Sequence, residues 1–411
     1  MLGLTDALSA RVHAVLDRRL KHRSDAPLAL GLSGGGDSVA LTLIAADWAQ
    51  RHGRRLILLT VDHGLNPQSA AWTAACGALA ARLGLGFHAL RWEGDKPVQG
   101  LPAAARAARH RLLAQAAREA GASVVLLGHT ASDLNEAAAM RAAGSSTPSP
   151  REWSPSPAWP EGRGVFLLRP MLGIERAALR AWLAERGQGW IEDPANEDMR
   201  FARARARTAG LKQAAEAAEA PSEAVAQFAA AARVDAAGVI TLPGAPLPDR
   251  LIAAACLCAA GTDRPPRRDR LARLAELART GAPFVATLAG ARVEGAAKAV
   301  CFMREPGEIG RGGQGRLRLF PGRAAVWDGR FEFLATRPMI IAPLAGHAAR
   351  LDPAARQALR AVPAGTRGAL PVVIEGNEVA CPVLSPVAGL DVRLLAADRL
   401  RAAAGLVRSE P

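Results

Sequence analysis

An α/β protein built on a doubly wound, mainly parallel sheet is the fold class this sequence predicts, and three observations carry that prediction. Short apolar runs at residues 28–32, 56–61 and 124–127 lack a helical period and read as buried parallel strands. Longer segments at 39–49, 68–83, 101–120 and 132–143 are rich in alanine and leucine, with polar residues at helical spacing, as crossover helices are. Between the first run and the first of these helices lies Ser33-Gly34-Gly35-Gly36-Asp37-Ser38. Consecutive glycines permit positive φ, so successive N–H groups can curl into an anion nest at a helix N-terminus.

Each element follows in order. Residues 1–20 are amphipathic, carry Asp6 and Asp17 and lack the apolar centre of a signal peptide. The glycine loop ends in Asp37 where a kinase-type phosphate loop has lysine, so Asp37 is expected to bind a magnesium ion carried by a di- or triphosphate. A plain glycine turn capped by Asp37 is the competing reading. Asp62-His63-Gly64 follows the second strand and Gly128-His129 the third, so both fall with the glycine loop at the carboxyl ends of strands, where such sheets bind ligands. Residues 144–164, rich in Ser, Pro and Gly with Trp153 and Trp159, read as a long irregular excursion, a lid or a disordered stretch. Order resumes at 167–172, with a helix at 175–186, a turn at 190–196 and a basic helix-like run from 199.

The composition shifts near residue 210, giving an expected division into a catalytic domain (1–210), a mostly helical middle domain (211–315) and a small α+β domain (316–411). In the middle part, 269–278 reads as a helix and 284–288 and 299–303 as short strands. Residues 310–316 read as a flexible joint, and the tail as β-like pieces at 324–333 and 370–375 around a helix at 353–361.

Half the residues are hydrophobic, at 50%, yet no apolar run approaches the roughly 18–20 residues that span a bilayer, so a cytoplasmic protein with no membrane partner is expected. Five scattered cysteines argue against a disulfide framework, and the close pair Cys256 and Cys258 sits in an apolar run that reads as core. A net charge of +14 favours a polyanionic partner such as nucleic acid, although an arginine-rich genome composition yields the same number.

Further motifs accompany the glycine loop: Arg106 and Arg109 with His110 on one helix, Asp133 and Glu136 after Gly128-His129, Arg169-Pro170, Glu192-Asp193-Pro194-Ala195-Asn196, and the ladder Arg203, Arg205, Arg207. In this order the series resembles the tRNA(Ile)-lysidine synthetases of the N-type ATP pyrophosphatase (PP-loop) superfamily, over about the first 210 residues and more weakly beyond. The resemblance implies a carbon–nitrogen ligase using ATP and Mg²⁺. It would adenylate the C2 oxygen of the wobble cytidine in the CAU-anticodon tRNA(Ile), and the ε-amine of L-lysine would then displace AMP.

It further implies an ATP site of Ser33, Gly34, Gly35, Gly36, Asp37, Ser38, Asp62, His63 and His129, with Asp37 as the metal ligand. Asp37, Arg106, Asp133 and Glu136 would be catalytic. Asp133 and Glu136, spaced i, i+3 on one helix face, would bind lysine; a solvated acidic face is the alternative. Arg109, Arg203, Arg205 and Arg207 would meet tRNA phosphates, a solvated basic surface being the alternative. Either histidine could equally be a packing residue. The chain departs from the family pattern at His129-Thr130, Ser132-Asp133 and Leu134, where two histidines, paired aspartates and a glutamine are usual. Two other functions remain open: a tRNA cytidine sulfur-transferase of the same superfamily, which would need a C-x-x-C pair that is lacking here, or an inactive RNA-binding relative. Oligomeric state is open, a homodimer included.

Overall fold

The computed structural model describes residues 4–143, 149–192, 223–244, 246–311 and 315–411. It divides into two compact units, Met1–Ala220 with Val407–Pro411, and Pro221–Leu406.

The first unit holds a six-stranded sheet: β1 (Leu28–Gly31), β2 (Leu56–Asp62), β3 (Gly86–Arg91), β4 (Val124–Leu127), β5 (Trp153–Pro155) and β6 (Phe166–Leu168), in the order β3-β2-β1-β4-β6-β5. All pairings are parallel except that of β5 with β6. Its helices are α1 (Leu4–Arg19), α2 (Gly36–Arg51), α3 (Ser69–Arg82), α4 (Leu101–Glu119), α5 (Ala131–Ala142) and α6 (Arg176–Ala184). The expected strands are continuous apolar runs because both faces are covered. Leu28 and Leu30 of β1 and Val124 and Leu126 of β4 pack into one core with Leu16, Ile44, Trp48 and Leu183. Ala29, Val125 and Leu127 turn the other way onto Leu113, Ala114 and Ala117 of α4.

Strand β1 lies between β2 and β4, so the strand order reverses there. The crevice outside that reversal is where doubly wound sheets bind ligands, and the loops after β1 and β4 frame it. Two elements differ from expectation. Strand β3 sits at the sheet edge with His88 and Arg91 exposed, so it lacks the continuous apolar run of its neighbours. Part of the expected excursion is ordered: Trp153 stacks on Phe166 at 5.0 Å between ring centroids and its indole donates to Val407 O at 2.8 Å.

That second bond ties the chain's last residues to the first unit. Arg54 grips Glu410 with Nη2–Oε1 at 2.8 Å and Nη1–Oε2 at 3.1 Å, and the two side chains are 0% and 2% exposed.

The expected division at 315 is not seen in the second unit. Among the described residues of the expected mostly helical domain, a five-stranded antiparallel sheet, Arg233–Val234, Ile240–Pro243, Ala299–Arg304, Ala291–Ala296 and Phe284–Leu288 in that order, accompanies the helices. The strand Ala291–Ala296 alternates buried and half-buried residues, but its alanines and glycine hide the β pattern. Shared cores explain the missing boundary: Met303 packs with Leu344, Leu370 and Val372, Leu400 packs with Leu251 and Phe302, and Arg304 bonds Asp328 at 2.7 Å. Cys256 and Cys258 lie buried on the helix Asp249–Ala260, and burial pushes their thiols up to about 12 and about 11, consistent with core packing.

Candidate active site

Residues 32–35 carry the chain from β1 into α2, whose N-cap is Gly35 and which no side chain caps. The N–H groups of its first turn are thus open to an anion. Gly34 has φ +83°, the left-handed region that favours glycine, and its carbonyl accepts from Ile191 N at 2.9 Å. The hydroxyls of Ser33 and Ser38 lie 3.1 Å apart, and Ser38 Oγ donates to Gly35 O at 2.9 Å, bracing the loop. Gly128, leaving β4, approaches so closely that a Cβ there would sit 3.0 Å from both Asp37 O and Ser38 N. The two loops at the strand reversal therefore touch, and only glycine permits it.

Asp37 opens α2 beside the start of α5. Thr130 N and Oγ1 donate to Asp133 Oδ2 at 2.9 and 3.1 Å, so Asp133 caps its own helix as well as facing the crevice. One guanidinium joins the acids: Arg176 Nε to Asp37 Oδ2 at 2.8 Å, Nη2 to Asp133 Oδ2 at 3.4 Å and Nη1 to Glu136 Oε1 at 3.4 Å. Their side chains are 20%, 20%, 9% and 3% exposed for Arg176, Asp37, Asp133 and Glu136. Burial raises the Asp37 pKa, opposed by the Arg176 charge and hydrogen bond. Burial pulls Arg176 down, but the Asp37 and Asp133 charges outweigh it and hold it above its ordinary value. Asp37 fits a magnesium site: a hard carboxylate oxygen at the mouth of an anion nest, already holding a cation.

A cationic group lies within electrostatic reach of Asp133. Arg169 is 5% exposed, with Nη1 donating to Arg151 O at 2.8 Å and Ser154 Oγ at 3.1 Å, while no hydrogen-bond partner is seen for its buried Nε. Burial, then the charges of Arg106 and Arg109, bring Arg169 to about 10. The same arginines surround His110, which burial and then Arg109 and Arg106 push down to about 2, so it is neutral at physiological pH.

Comparison with known proteins places the chain in a family. A PP-loop domain family matches residues 8–214. A tRNA(Ile)-lysidine synthase of Caulobacter vibrioides is 50% identical over 97% of this chain and 98% of its own length. One from Hyphomonas neptunium is 38% identical over 77% of this chain and 92% of its own. This chain belongs to the tRNA(Ile)-lysidine synthase family.

As a member of that family it places the sequence-predicted residues as follows. Ser33 to Ser38, Asp133 and Glu136 meet at the strand reversal. Asp62 Oδ1 accepts from Gly64 N at 2.7 Å, a bond that holds its pKa low and shapes the turn after β2. His63 stands edge-on to Trp92 with ring centroids 6.0 Å apart, and burial followed by the Arg109 charge lowers its pKa. His129 is 7% exposed and its N–H donates to Leu127 O at 2.9 Å, which fixes the turn out of β4. Arg106 and Arg109 join Arg169 and His110 through their charges. Asp193, Pro194, Asn196, Arg203, Arg205 and Arg207 lie outside the described residues.

Arg176 is the site residue that the sequence reading did not name. A signal was present: it is the first residue of α6, after Glu175 as N-cap. A cation at a helix N-terminus opposes the macrodipole and needs a compensating anion nearby.

Proposed function

We propose that this protein ligates L-lysine to C2 of the wobble cytidine in the CAU-anticodon tRNA(Ile), with ATP and Mg²⁺. The observation that carries the reading is the convergence of Asp37, Asp133 and Glu136 on Arg176 at the mouth of the glycine nest. In the first step the cytidine O2 attacks the α-phosphate of ATP, forming an O–P bond and releasing pyrophosphate. The N–H groups of the first turn of α2 bind the departing phosphates, and their dipoles stabilise the developing charge. Mg²⁺, held by Asp37, supplies further charge neutralisation there when bound. In the second step the lysine ε-amine, having lost a proton, bonds to C2 and AMP leaves with the former carbonyl oxygen.

Asp133 and Glu136 hold the ammonium before that proton is lost, and their place three residues apart on α5 points both at one cation. Arg106 and Arg109, whose charges reach Arg169 and His110, would suit nucleotide or tRNA phosphate. No C-x-x-C pair is present, so the sulfur-transfer alternative is not favoured.

The test is direct. Incubation with ATP, lysine and the unmodified CAU tRNA(Ile), followed by nuclease digestion and mass spectrometry, is expected to show cytidine converted to lysidine with matching AMP and pyrophosphate. Unmodified cytidine with no AMP release refutes the proposal.

A further inference from the structure

At the far end of α2 from the glycine nest, Asp17, His22 and His52 bring one ligand atom each to within 4.8 Å of one another. They are the one such group of three or more His, Cys, Asp or Glu side chains found among the described residues. Asp17 lies on α1, His22 in the loop that follows it, and His52 is the C-cap residue of α2. Both imidazoles bring Nε2 near the same oxygen, Asp17 Oδ1, at 3.3 Å for His22 and 3.6 Å for His52. Ligands around a tetrahedral ion with bonds of about 2.0–2.1 Å stand about 3.3 Å apart, close to both separations.

The group is also held in place. Trp48, 1% exposed, donates its indole N–H to Asp17 Oδ1 at 2.8 Å. The His52 ring packs on Trp48 at 4.4 Å and on His22 at 4.5 Å between centroids. A buried donor that orients a carboxylate ligand is the arrangement that surrounds metal sites. The side chains of His22, Asp17 and His52 are 55%, 46% and 26% exposed, so a fourth position opens to water. With α2 16 residues long, the group lies about 24 Å along the helix from the nest, at about 1.5 Å per residue, and is separate from the catalytic centre.

We propose that Asp17, His22 and His52 form a binding site for a borderline divalent transition ion, Zn²⁺ first, with two imidazole nitrogens, one carboxylate oxygen and water as ligands. Its effect is on the fold. His22 follows Lys21, whose N–H donates to Glu410 Oε2 at 2.8 Å, and His52 precedes Arg54, which grips the same carboxylate. An ion joining His22 to His52 therefore clamps the two loops that hold residues 407–411.

The full chain, free of any purification tag and stripped with chelator, is dialysed against buffered Zn²⁺ and assayed for bound metal, and separately titrated with Co²⁺. The expected result is one Zn²⁺ per chain, a melting temperature that rises with Zn²⁺ concentration, and a Co²⁺ spectrum free of thiolate charge transfer. His22→Ala, at an exposed position, and His52→Gln are each expected to abolish retention and the thermal shift while tRNA modification continues at the unaltered rate. Failure of the unaltered chain to retain Zn²⁺, retention that survives both substitutions together, or a thiolate-type spectrum overturns the proposal.

Discussion

Replacing Arg176 by glutamine removes a cation bonded to Asp37, Asp133 and Glu136 alike, and the bond to Asp37 is the shortest of the three at 2.8 Å against 3.4 and 3.4 Å. A hydrogen bond between charged groups is worth about 1.5–3 kcal/mol, and the two longer contacts add less. At about 1.4 kcal/mol per factor of ten, the loss corresponds to roughly a 10- to 100-fold fall in kcat/KM for lysine if the guanidinium positions the acids for substrate. A signature separates positioning from mere support of the fold. Arg176 is the main influence lowering the Asp37 pKa against burial, so its removal raises that pKa further. The acid limb of the pH–rate profile of Arg176→Gln therefore moves to higher pH, and Arg176→Lys recovers part of the shift. The assay is AMP release against pH at saturating tRNA, with melting temperature measured in parallel. An unchanged pH profile together with an unaltered kcat/KM per folded molecule would refute the reasoning, even if the variant melted lower.

Asp37→Asn should abolish AMP release yet stabilise the unliganded protein at neutral pH. Because burial raises the folded-state pKa of Asp37 above its ordinary 3.8, the stability linked to its protonation is complete below that value and lost as pH rises through the folded one. Thermal melts of both proteins against pH check this, and a variant less stable than the parent at pH 7 contradicts it. Arg54→Met leaves the Glu410 carboxylate buried without its partner and is expected to cost about 3–5 kcal/mol in chemical denaturation, well beyond the effect of an exposed ion pair; a loss under 1 kcal/mol counts against the docked tail. Gly34→Ala meets a strained φ of +83° and places its Cβ on Ile191, so ATP binding should be lost. Adding Ile191→Ala relieves the overlap but leaves about 1–2 kcal/mol of left-handed strain, and no recovery of affinity in the double variant would mean that the overlap is unimportant.

The catalytic half of the fold was legible because its strands are buried on both faces and its helices are long, conditions under which period and run length agree. Strand β3 escaped notice because an exposed edge relaxes the demand for apolar residues, and Ala291–Ala296 because alanine favours helices whenever packing does not decide otherwise. The second unit was misdivided for a related reason: pairs such as Met303 with Val372 are close in space but far apart in sequence, and no local pattern announces them. At the site, residues next to the glycine loop or at strand ends were readable, whereas Arg176 comes from another helix and betrays itself only by opposing the helix dipole.

The charges around the crevice bear on the proposed order of events. Asp37, Asp133 and Glu136 gather at Arg176, so this end of the crevice offers carboxylate oxygens to incoming cations. Arg106, Arg109 and Arg169 influence one another's surroundings through their charges, with His110 neutral among them, a grouping that suits anions. A magnesium nucleotide, a lysine ammonium and an RNA phosphate can thus be sorted by sign before any specific contact forms. Arg176 keeps the acids from repelling one another while the site waits, and on the proposed reading both incoming cations would share these acids with it. The binding of each would then depend on the other through one side chain. On the proposed reading this coupling favours filling both positions together, so that an activated cytidine is formed where an amine is already held to meet it.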